Sequence, residues 1–313
     1  MTSRPMHPTP SAQAQLQELT ELLLACAPTD GIHPTGLPGV CAIRVTEPGD
    51  ELTQTLHRPA VCLIAQGAKR VMLRDEIYAY DPSRVLVFSV DLPISAQVTQ
   101  ASPERPYVCF RLDIDPVEVA DLVMQAAPVQ ESSGEPSRGL FLTSATPELL
   151  DAVLRLMRLT RSPQDAALLA PLAVREIFIR LLNSPEGERL AGIGRADAHM
   201  SRVAKAIAWL KENHADPLRI DDLARRVHMS ASSFHQHFRD LTAMSPLQFQ
   251  KQLRLQEARR LMLAEGTDAA TASHRVGYES PSQFSREYAR QFGAPPVRDI
   301  QRLKQGGAWA VLA

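Results

Sequence analysis

One pattern occurs twice in the last hundred residues of this 313-residue chain. The run from Ser232 to Phe238, Ser-Ser-Phe-His-Gln-His-Phe, aligns with the run from Ser282 to Tyr288, Ser-Gln-Phe-Ser-Arg-Glu-Tyr, fifty positions later. In each copy a proline follows eight residues after the second aromatic, as Pro246 and Pro296. A short helical segment and a tight turn precede each copy. The repeat predicts two small helix-turn-helix units in tandem, an arrangement typical of a DNA reader.

The first copy predicts a supporting helix, a turn and a second helix. Apolar residues recur at helical spacing over residues 220–227, where Asp221 or Asp222 is expected to cap the first helix. His228-Met229 is expected to form the turn, and Ser230 to cap a helix over about residues 231–242. That helix carries one stripe of large apolar residues, predicted to be buried: Phe234, Phe238 and Leu241.

The second copy predicts the same unit. A supporting helix from Asp268 to Val276 is followed by Gly277, which gives the turn access to positive φ. Ser280 is expected to cap a helix over about residues 281–292. Its first position holds Pro281, where the missing N–H costs nothing. The core-facing aromatics are predicted to be Phe284 and Tyr288.

The outward faces of the two second helices carry side chains that can read bases. Arg can bond guanine through a fork of two hydrogen bonds, and Gln can do the same to adenine. Other basic side chains can hold phosphates. A single such face is equally typical of a solvated helix, but two in tandem favour DNA contact. The predicted contact residues are Ser232, His235, Gln236 and Arg239 in the first helix, and Ser282, Gln283, Arg286 and Arg290 in the second.

A long helix is predicted between the two units, from Ser245-Pro246 to about Ala264. Its apolar residues fall on two sides, as expected if its first half packs on one unit and its second half on the other. Nineteen helical residues span about 28 Å. This length would place the two second helices near one duplex turn apart, about 34 Å, so that both enter adjacent major grooves.

The run from Gly277 to Tyr288, followed by Phe292-Gly293, resembles the signature of the AraC/XylS family of bacterial transcription regulators. The resemblance extends from about His199 to Lys304 and implies two helix-turn-helix units joined by a long helix. Ala269 to Ser273 is richer in Ala than the family pattern, which predicts looser packing of the second supporting helix. Carried over by position, the family's base contacts fall on Ser232, His235 and Gln236, and on Ser282, Gln283 and Arg286.

The balance of charge also changes at about residue 199. Residues 199–313 hold 17 Lys+Arg and 11 Asp+Glu, while residues 1–198 hold 17 and 24. The near-neutral total of −1 therefore combines a basic C-terminal part with an acidic N-terminal part. A basic part of this kind is the electrostatic footprint of a phosphate-binding protein.

The N-terminal part predicts an α+β architecture. A helix over residues 12–26 precedes about eight short strands, which suggest a small antiparallel β-barrel or jelly roll. Three helices are expected to follow, over residues 116–126, 147–160 and 163–182, the last two as a hairpin. Residues 128–139 are expected to form an exposed loop, and 183–197 a link. The strands are predicted near 40–46, 52–57, 60–66, 69–74, 76–80, 84–90, 94–99 and 106–112.

The segment Arg58 to Arg70, with Tyr80-Asp81-Pro82 and residues 89–93, is similar to the N-terminal effector domain of one branch of the AraC/XylS family. The similarity covers roughly residues 35–185. It implies a cupin-like barrel that senses a small molecule, followed by helices available for dimerisation. The chain is thus predicted to contain an effector-sensing and dimerisation domain over 1–190 and an all-α DNA-binding domain over 198–305.

Polar and thiol side chains in the strands are the candidate effector contacts. Cys41, Cys62 and Cys109 lie in predicted strands, where a free Cys usually serves as a small buried hydrophobe. The sharper hypothesis is that Cys62 or Cys109 lines the barrel and senses an electrophile or oxidant. Gln66 and Ser89 are alternative ligand contacts, although either could simply face solvent.

An enzyme is not expected. A metal-dependent cupin needs several His and a carboxylate on one ion, whereas His57 is the only His between residues 34 and 198. His57 is also the only candidate base for a nucleophile there. The four Cys show no metal-binding spacing, so no metal site and no cofactor are predicted. Reduced thiols and the lack of an apolar run of 18 residues predict a cytoplasmic protein outside the membrane.

The sequence therefore predicts a DNA-binding transcription regulator whose partners are double-stranded DNA, a small-molecule effector, RNA polymerase and a second copy of the chain. Two alternatives stay open. One is a constitutive DNA binder whose barrel only dimerises. The other is a barrel enzyme with a vestigial DNA module. The family resemblance favours an activator, although repressors use the same parts.

Overall fold

The computed structural model describes residues 10–49, 52–125, 138–195 and 199–305. Within these ranges, ten strands in the N-terminal part form two antiparallel sheets. The strands are β1 Gly31–Pro34, β2 Val40–Val45, β3 Thr53–His57, β4 Ala60–Gln66, β5 Ala68–Leu73, β6 Glu76–Tyr80, β7 Arg84–Phe88, β8 Leu92–Gln100, β9 Tyr107–Asp113 and β10 Leu140–Ser144.

The two sheets stack face to face as a sandwich. The first has the order β1-β2-β9-β4-β7-β10, and the second the order β3-β8-β5-β6. Strand β4 is apolar along its length because both of its faces are covered. Val61 and Leu63 pack in the core beneath the helices, whereas Cys62 and Ile64 pack in the core between the sheets.

The α+β class is confirmed, but the predicted barrel is not closed. No backbone ladder joins the two sheets in the part of the chain that the structure describes. The physical reason is that the first sheet buries its outer face under helices. It is therefore the middle layer of the domain and keeps β1 and β10 as its two edges. All eight predicted strands are present, within two residues at most ends, while β1 and β10 were not predicted.

Five helices follow or flank the sandwich within the described residues. The hairpin of α3 and α4 is present as predicted, with Thr146 accepting a hydrogen bond from the N–H of Leu149 as the cap of α3. Residues 187–194, expected to be a link, form a helix whose residues Leu190 and Ala191 are fully buried. The helices are α1 Pro10–Cys26, α2 Pro116–Gln125, α3 Pro147–Arg158, α4 Pro163–Leu182 and α5 Gly187–Gly194.

Two predicted boundaries differ from the structure or lie partly outside the described residues. Residues 128–137 of the predicted loop lie outside the described residues, and Gly139 is buried instead of exposed. Helix α5 runs past residue 190, the predicted end of the first domain, so we propose that this domain ends after α5.

The C-terminal part contains seven helices within residues 199–305. The predicted two-sided character of the long helix α9 is confirmed. Phe249 and Leu253 join the core of the first unit, whereas Leu255 and Met262 join the core of the second. The helices are α6 His199–Glu212, α7 Ile220–Arg226, α8 Ala231–Thr242, α9 Pro246–Ala264, α10 Ala269–Arg275, α11 Pro281–Phe292 and α12 Pro296–Gln305.

One capping prediction is wrong. The residue that precedes α7 is Arg219, whose side chain makes no capping hydrogen bond. Asp221 and Asp222 lie inside the first turn, where their carboxylates face the positive end of the helix dipole. None of the helices that the structure describes combines the length and apolar character that a membrane crossing requires.

Candidate nucleic-acid interface

The first recognition helix, α8, is fixed by its cap and by its core face. Ser230 Oγ accepts a hydrogen bond of 3.3 Å from the N–H of Ser233. Phe234 and Phe238 are fully buried, and Phe238 meets Phe249 of α9 edge to face at 5.4 Å between ring centroids. The opposite face of α8 is therefore held outward by the packing of its aromatic stripe.

The second recognition helix, α11, begins in the same way. Ser280 caps it by accepting from the N–H of Gln283, and Pro281 occupies its first turn. The turn before it depends on Gly277, which has a φ of +84°. A Cβ at this position would lie 2.1 Å from the carbonyl oxygen of Ala215, so no other residue fits without a backbone shift.

The structure places seven of the eight predicted DNA contacts on open surface, and His235 is half-buried. The residues of the second helix lie on its first three turns, with Ser282 and Gln283 nearest the N-terminus. The exposed residues are Ser232, Gln236, Arg239, Ser282, Gln283, Arg286 and Arg290. Which of them touches DNA stays a prediction.

Two of the exposed amides are steered by carboxylates one turn later. Gln236 Nε2 donates to Asp240 Oδ1 at 2.9 Å, and Gln283 Nε2 donates to Glu287 Oε1 at 3.4 Å. Glu287 is itself held by the hydroxyl of Tyr278 at 2.8 Å and by Lys251 at 3.2 Å. Each amide keeps its carbonyl oxygen and one N–H for a base edge, which is what paired recognition of adenine uses.

Arg254 of α9 ties the two units together. Its guanidinium donates to the carbonyl oxygens of His214 at 2.7 Å and Ala215 at 3.1 Å, in the loop between α6 and α7. It also donates to the carbonyl oxygen of Gly277 at 2.9 Å, in the turn before α11. The relative placement of the two recognition helices therefore depends on one side chain as well as on α9.

A buried ion pair joins α9 to α12 in the second helix-turn-helix unit. Arg259 Nε donates to Asp299 Oδ2 at 2.9 Å, and the two side chains are only 8% and 0% exposed. The hydroxyl of Tyr288 donates to the same oxygen at 2.8 Å. The Arg259 guanidinium also lies 4.4 Å from the ring centroid of Phe292. Burial and the neighbouring Asp299 carboxylate raise the pKa of the Tyr288 hydroxyl well above its usual value.

The sandwich binds the end of the first recognition helix. Arg138 Nη1 donates to the carbonyl oxygens of Asp240 at 2.7 Å and Arg239 at 3.3 Å. The N–H of Gly139 donates to the carbonyl oxygen of Leu241 at 2.8 Å. The carbonyls of Asp240 and Leu241 belong to the last turn of α8, where helical N–H partners run out, and a cation is favourable beside them.

The sandwich also binds the end of the second recognition helix. Gln54 of β3 donates through Nε2 to the carbonyl oxygen of Gln291, and the Gln291 amide donates back to Gln54 Oε1. Arg259 Nη1 donates to the backbone carbonyl of Gln54 at 3.4 Å. Both recognition helices are thus held at their C-terminal ends by the N-terminal part.

A cavity of about 210 Å³ lies between the two sheets, on the face of β3 opposite to the one that contacts α11. Thr53, Thr55 and His57 of β3 line it, whereas Gln54 points to α11 from the alternate face of the strand. The pKa of His57 is lowered to about 3, mainly by burial and to a smaller extent by the positive charges of Arg111 and Lys69. The other lining residues are Ile32, Ile43, Leu56, Arg58, Lys69, Ala96, Arg111 and Asp113.

The four predicted effector contacts are not in this lining. The Gln66 amide donates to the carbonyl oxygen of Pro106 at 2.8 Å, and the Ser89 hydroxyl to that of Gly139 at 3.1 Å. Cys62 and Cys109 are buried free thiols, and Cys62 Sγ lies 3.9 Å from Nε2 of the lining residue His57. No trio of His, Cys, Asp or Glu close enough to hold a metal ion occurs in the described ranges.

Comparison with known families identifies the chain. Residues 36–189 match the AraC-type transcriptional regulator N-terminus, and residues 223–302 match a helix-turn-helix domain. The chain belongs to the AraC family of transcription regulators. It is a DNA-binding transcription regulator with an N-terminal regulatory domain.

Its relatives within this AraC family include regulators from two bacteria. The chain is 25% identical to the HTH-type transcriptional regulator ExsA of Pseudomonas aeruginosa over 212 residues, which cover 67% of this chain and 69% of ExsA. It is 33% identical to the RCS-specific transcriptional activator RclR of Escherichia coli over 104 residues, covering 33% of this chain and 37% of RclR.

Solved structures of ToxT from Vibrio cholerae share the fold. A 1.65 Å structure matches with a TM-score of 0.57 at 12% identity, covering 84% of this chain and 97% of ToxT. Another, described as bound to an unsaturated fatty acid, matches with a TM-score of 0.55 at 12% identity, covering 83% and 94%. At this identity the likeness concerns the fold alone.

Proposed function

We propose that a small-molecule effector bound in the sandwich cavity controls how this AraC-family regulator presents its two recognition helices to DNA. One observation supports the proposal: strand β3 lines the cavity on one face and contacts the second recognition helix, α11, on the other. Thr53, Thr55 and His57 face the cavity, and Gln54 between them bonds to the C-terminal end of α11. A change in the position of β3 therefore has a direct route to the second recognition helix.

The proposal also requires a thermodynamic difference. An effector shifts the regulator only if it binds one arrangement of the sandwich and the helices better than another. A bound molecule that moves β3 would change the bonds of Gln54 to Gln291. Because α8 is held separately by its hydrogen bonds to Arg138 and Gly139, a shift of α11 alone changes the relative placement of the two helices.

The DNA contacts in this proposal are the eight predicted residues. The helices α8 and α11 would enter adjacent major grooves, with Gln236, Gln283 and Arg286 as the main base readers. Arg239 and Arg290, further along their helices, would hold phosphates. Ser232, His235 and Ser282 complete the set.

We also propose that the regulator forms a homodimer through α4. This helix exposes a stripe of large apolar side chains, with Leu168 77% and Leu172 62% exposed, and Ile179 41% exposed two turns later. Exposed apolar patches of this kind mark interfaces, and a two-fold axis lets the same patch pair with itself. Leu172→Lys should convert a dimer to a monomer in sedimentation, whereas Leu247→Lys on α9, which is 55% exposed, should not.

The test of the proposed function is a selection of bound DNA by the full chain from genomic fragments, in about 0.15 M salt with competitor. Enrichment of a two-part motif with halves about ten base pairs apart would support the two-groove arrangement. The genes beside the enriched sites would indicate candidate effectors, whose addition must change the affinity. If no small molecule changes it, the chain is the constitutive binder that the sequence left open.

Activation through RNA polymerase belongs to the same proposal and rests on the family. Transcription from an enriched promoter with purified polymerase gives the sign directly: more transcript means an activator, and less means a repressor. The absence of enzymatic activity stays a prediction, supported by relatives that are transcription regulators.

A further inference from the structure

The cavity between the sheets has a basic lining. Among the described residues that line it, Arg58, Lys69 and Arg111 carry positive charge, and Asp113 is the one carboxylate. His57 is neutral there at pH 7, because its pKa is about 3. Three cations against one anion in a partly enclosed space give a positive potential that favours an anionic ligand.

Arg111 is unusual for its place in the fold. It lies in β9 among the buried residues Cys109, Phe110 and Leu112. Its Nη2 pairs with Asp113 Oδ1 at 2.7 Å, but its Nε is buried and has no hydrogen-bond partner within the described residues. A buried donor without an acceptor costs free energy, which an acceptor in the cavity would recover.

The rest of the lining restricts the body of the ligand. Ile32, Ile43 and Ala96 give the cavity apolar walls. The volume of about 210 Å³ is below the range of about 300–1,000 Å³ that is usual for drug-sized ligands. The occupant is therefore small, apolar over most of its surface and charged at one end.

We infer that this cavity binds a small organic carboxylate, with its oxygens on Lys69 and Arg111 and its apolar body against Ile43 and Ala96. The inference rests on the proposed effector control and names the chemical class of the effector. A carboxylate presents two coplanar oxygens that match the guanidinium fork. Phosphate fits less well, because Asp113 opposes a second negative charge and the apolar walls offer nothing to further oxygens.

The test is calorimetric titration of the full chain, without DNA, at pH 7.5. The probes are butanoate, hexanoate and octanoate, the matching primary amides, and inorganic phosphate. One or more acids should bind at one site per chain, with an optimum of chain length. The amide of the best acid should bind about tenfold more weakly or worse, because it loses the charged hydrogen bonds.

Two variants on one strand localise the site. Lys69→Met should weaken the best acid by about tenfold or more, because it removes a cation from the cavity. Arg70→Met, at the exposed neighbouring position that faces away from the cavity, should leave the affinity within about twofold. Melting temperatures without ligand check that both variants are folded.

The outcomes separate the two proposals. Equal binding of acids and amides, binding of phosphate alone, equal loss in both variants, or no binding of any acid would overturn the carboxylate site. Selective binding of acids supports the site, whether or not it alters DNA affinity. If acids bind and DNA affinity is unchanged, the site stands and effector control of DNA binding fails.

Discussion

The guanidinium of Arg254 donates a hydrogen bond of 2.9 Å to the carbonyl oxygen of Gly277, across the boundary between the two helix-turn-helix units. Through its further bonds to His214 and Ala215, the same side chain holds the loop of the first unit. Arg254 therefore helps, together with α9, to fix the relative placement of the two recognition helices.

Arg254→Met should therefore relax the spacing between the two half-sites. Four hydrogen bonds from a charged group are lost, the fourth being to the carbonyl oxygen of Asp216. A buried hydrogen bond of this kind contributes about 1.5–3 kcal/mol, and less is expected here because Arg254 is only half-buried. We expect weaker binding to the selected site, together with a smaller penalty when one or two base pairs are inserted between the halves. Equal insertion penalties in the variant and the wild type would show that α9 alone fixes the spacing.

Arg286→Ala should cost about 1–3 kcal/mol on the selected site and relax specificity at one base position. Arg290→Ala should instead weaken binding to all sequences similarly and lower the salt slope by about one. Binding assays on the selected site and on single-base variants, each at three salt concentrations, distinguish the two roles. An even loss for Arg286→Ala would assign it to a phosphate.

Asp299→Ala should destabilise the second unit strongly. The substitution leaves the Arg259 guanidinium buried without its partner, which typically costs about 3–5 kcal/mol. The matched control is Glu257→Ala, which breaks an ion pair with Arg260 on the surface of α9. Exposed ion pairs contribute about 0–1 kcal/mol, so this variant should lose little stability. Denaturant unfolding measures both, and similar losses in the two variants would contradict the assigned importance of the buried pair.

Stability should fall as the pH drops below about 6.5, in part because of His57. Its folded-state pKa is about 3, so the unfolded chain binds a proton near its ordinary pKa of about 6.5 while the folded chain does not. Between those values one such group lowers the unfolding free energy by about 1.4 kcal/mol per pH unit. His57→Gln should remove this contribution, so that the stability curves of variant and wild type diverge from pH 6.5 to 5. Parallel curves over that interval would mean that His57 takes up a proton in the folded chain.

Gln54→Ala should separate ligand binding from the DNA response. The side chain of Gln54 bonds to Gln291 and does not line the cavity, so an effector should bind with unchanged affinity. The effector-induced change in DNA affinity should shrink or disappear. Gln100→Ala, an exposed position at the end of β8, serves as the matched control and should respond like the wild type. A full response in Gln54→Ala would show that the coupling runs through Arg138 and Gly139 instead.

The sequence predicted most of the elements because their local signals are strong. The caps Ser230, Ser245 and Ser280 and the aromatic pairs set α8, α9 and α11 at the bounds observed. Helix α5 was missed because it is short and begins and ends with Gly, a residue that weakens helices. The four-residue strand β1 was missed because its stability comes from pairing with β2 instead of from its own pattern.

The contacts between the sandwich and the two helix-turn-helix units could not be predicted from the sequence. Gln54 and Gln291 are separated by 237 positions, and a polar side chain gives no sign of which distant carbonyl it will meet. Arg111 did leave a signal, because it is a charged residue directly after the apolar run Tyr107 to Phe110 of β9. Its place in the cavity could not be predicted, because the cavity forms only where β3 of one sheet and β9 of the other come together.

The two copies of the repeat follow one another along the chain with different chemistry at matching positions. Gln236 of the first copy corresponds to Arg286 of the second. If both read bases, one copy favours adenine where the other favours guanine, so the site cannot read the same on both strands. A single molecule would then bind with a defined polarity, and reversing its site in front of a gene would turn the sandwich from upstream to downstream of the reader. Regulation by this protein should therefore depend on the orientation of its operator as well as on its presence.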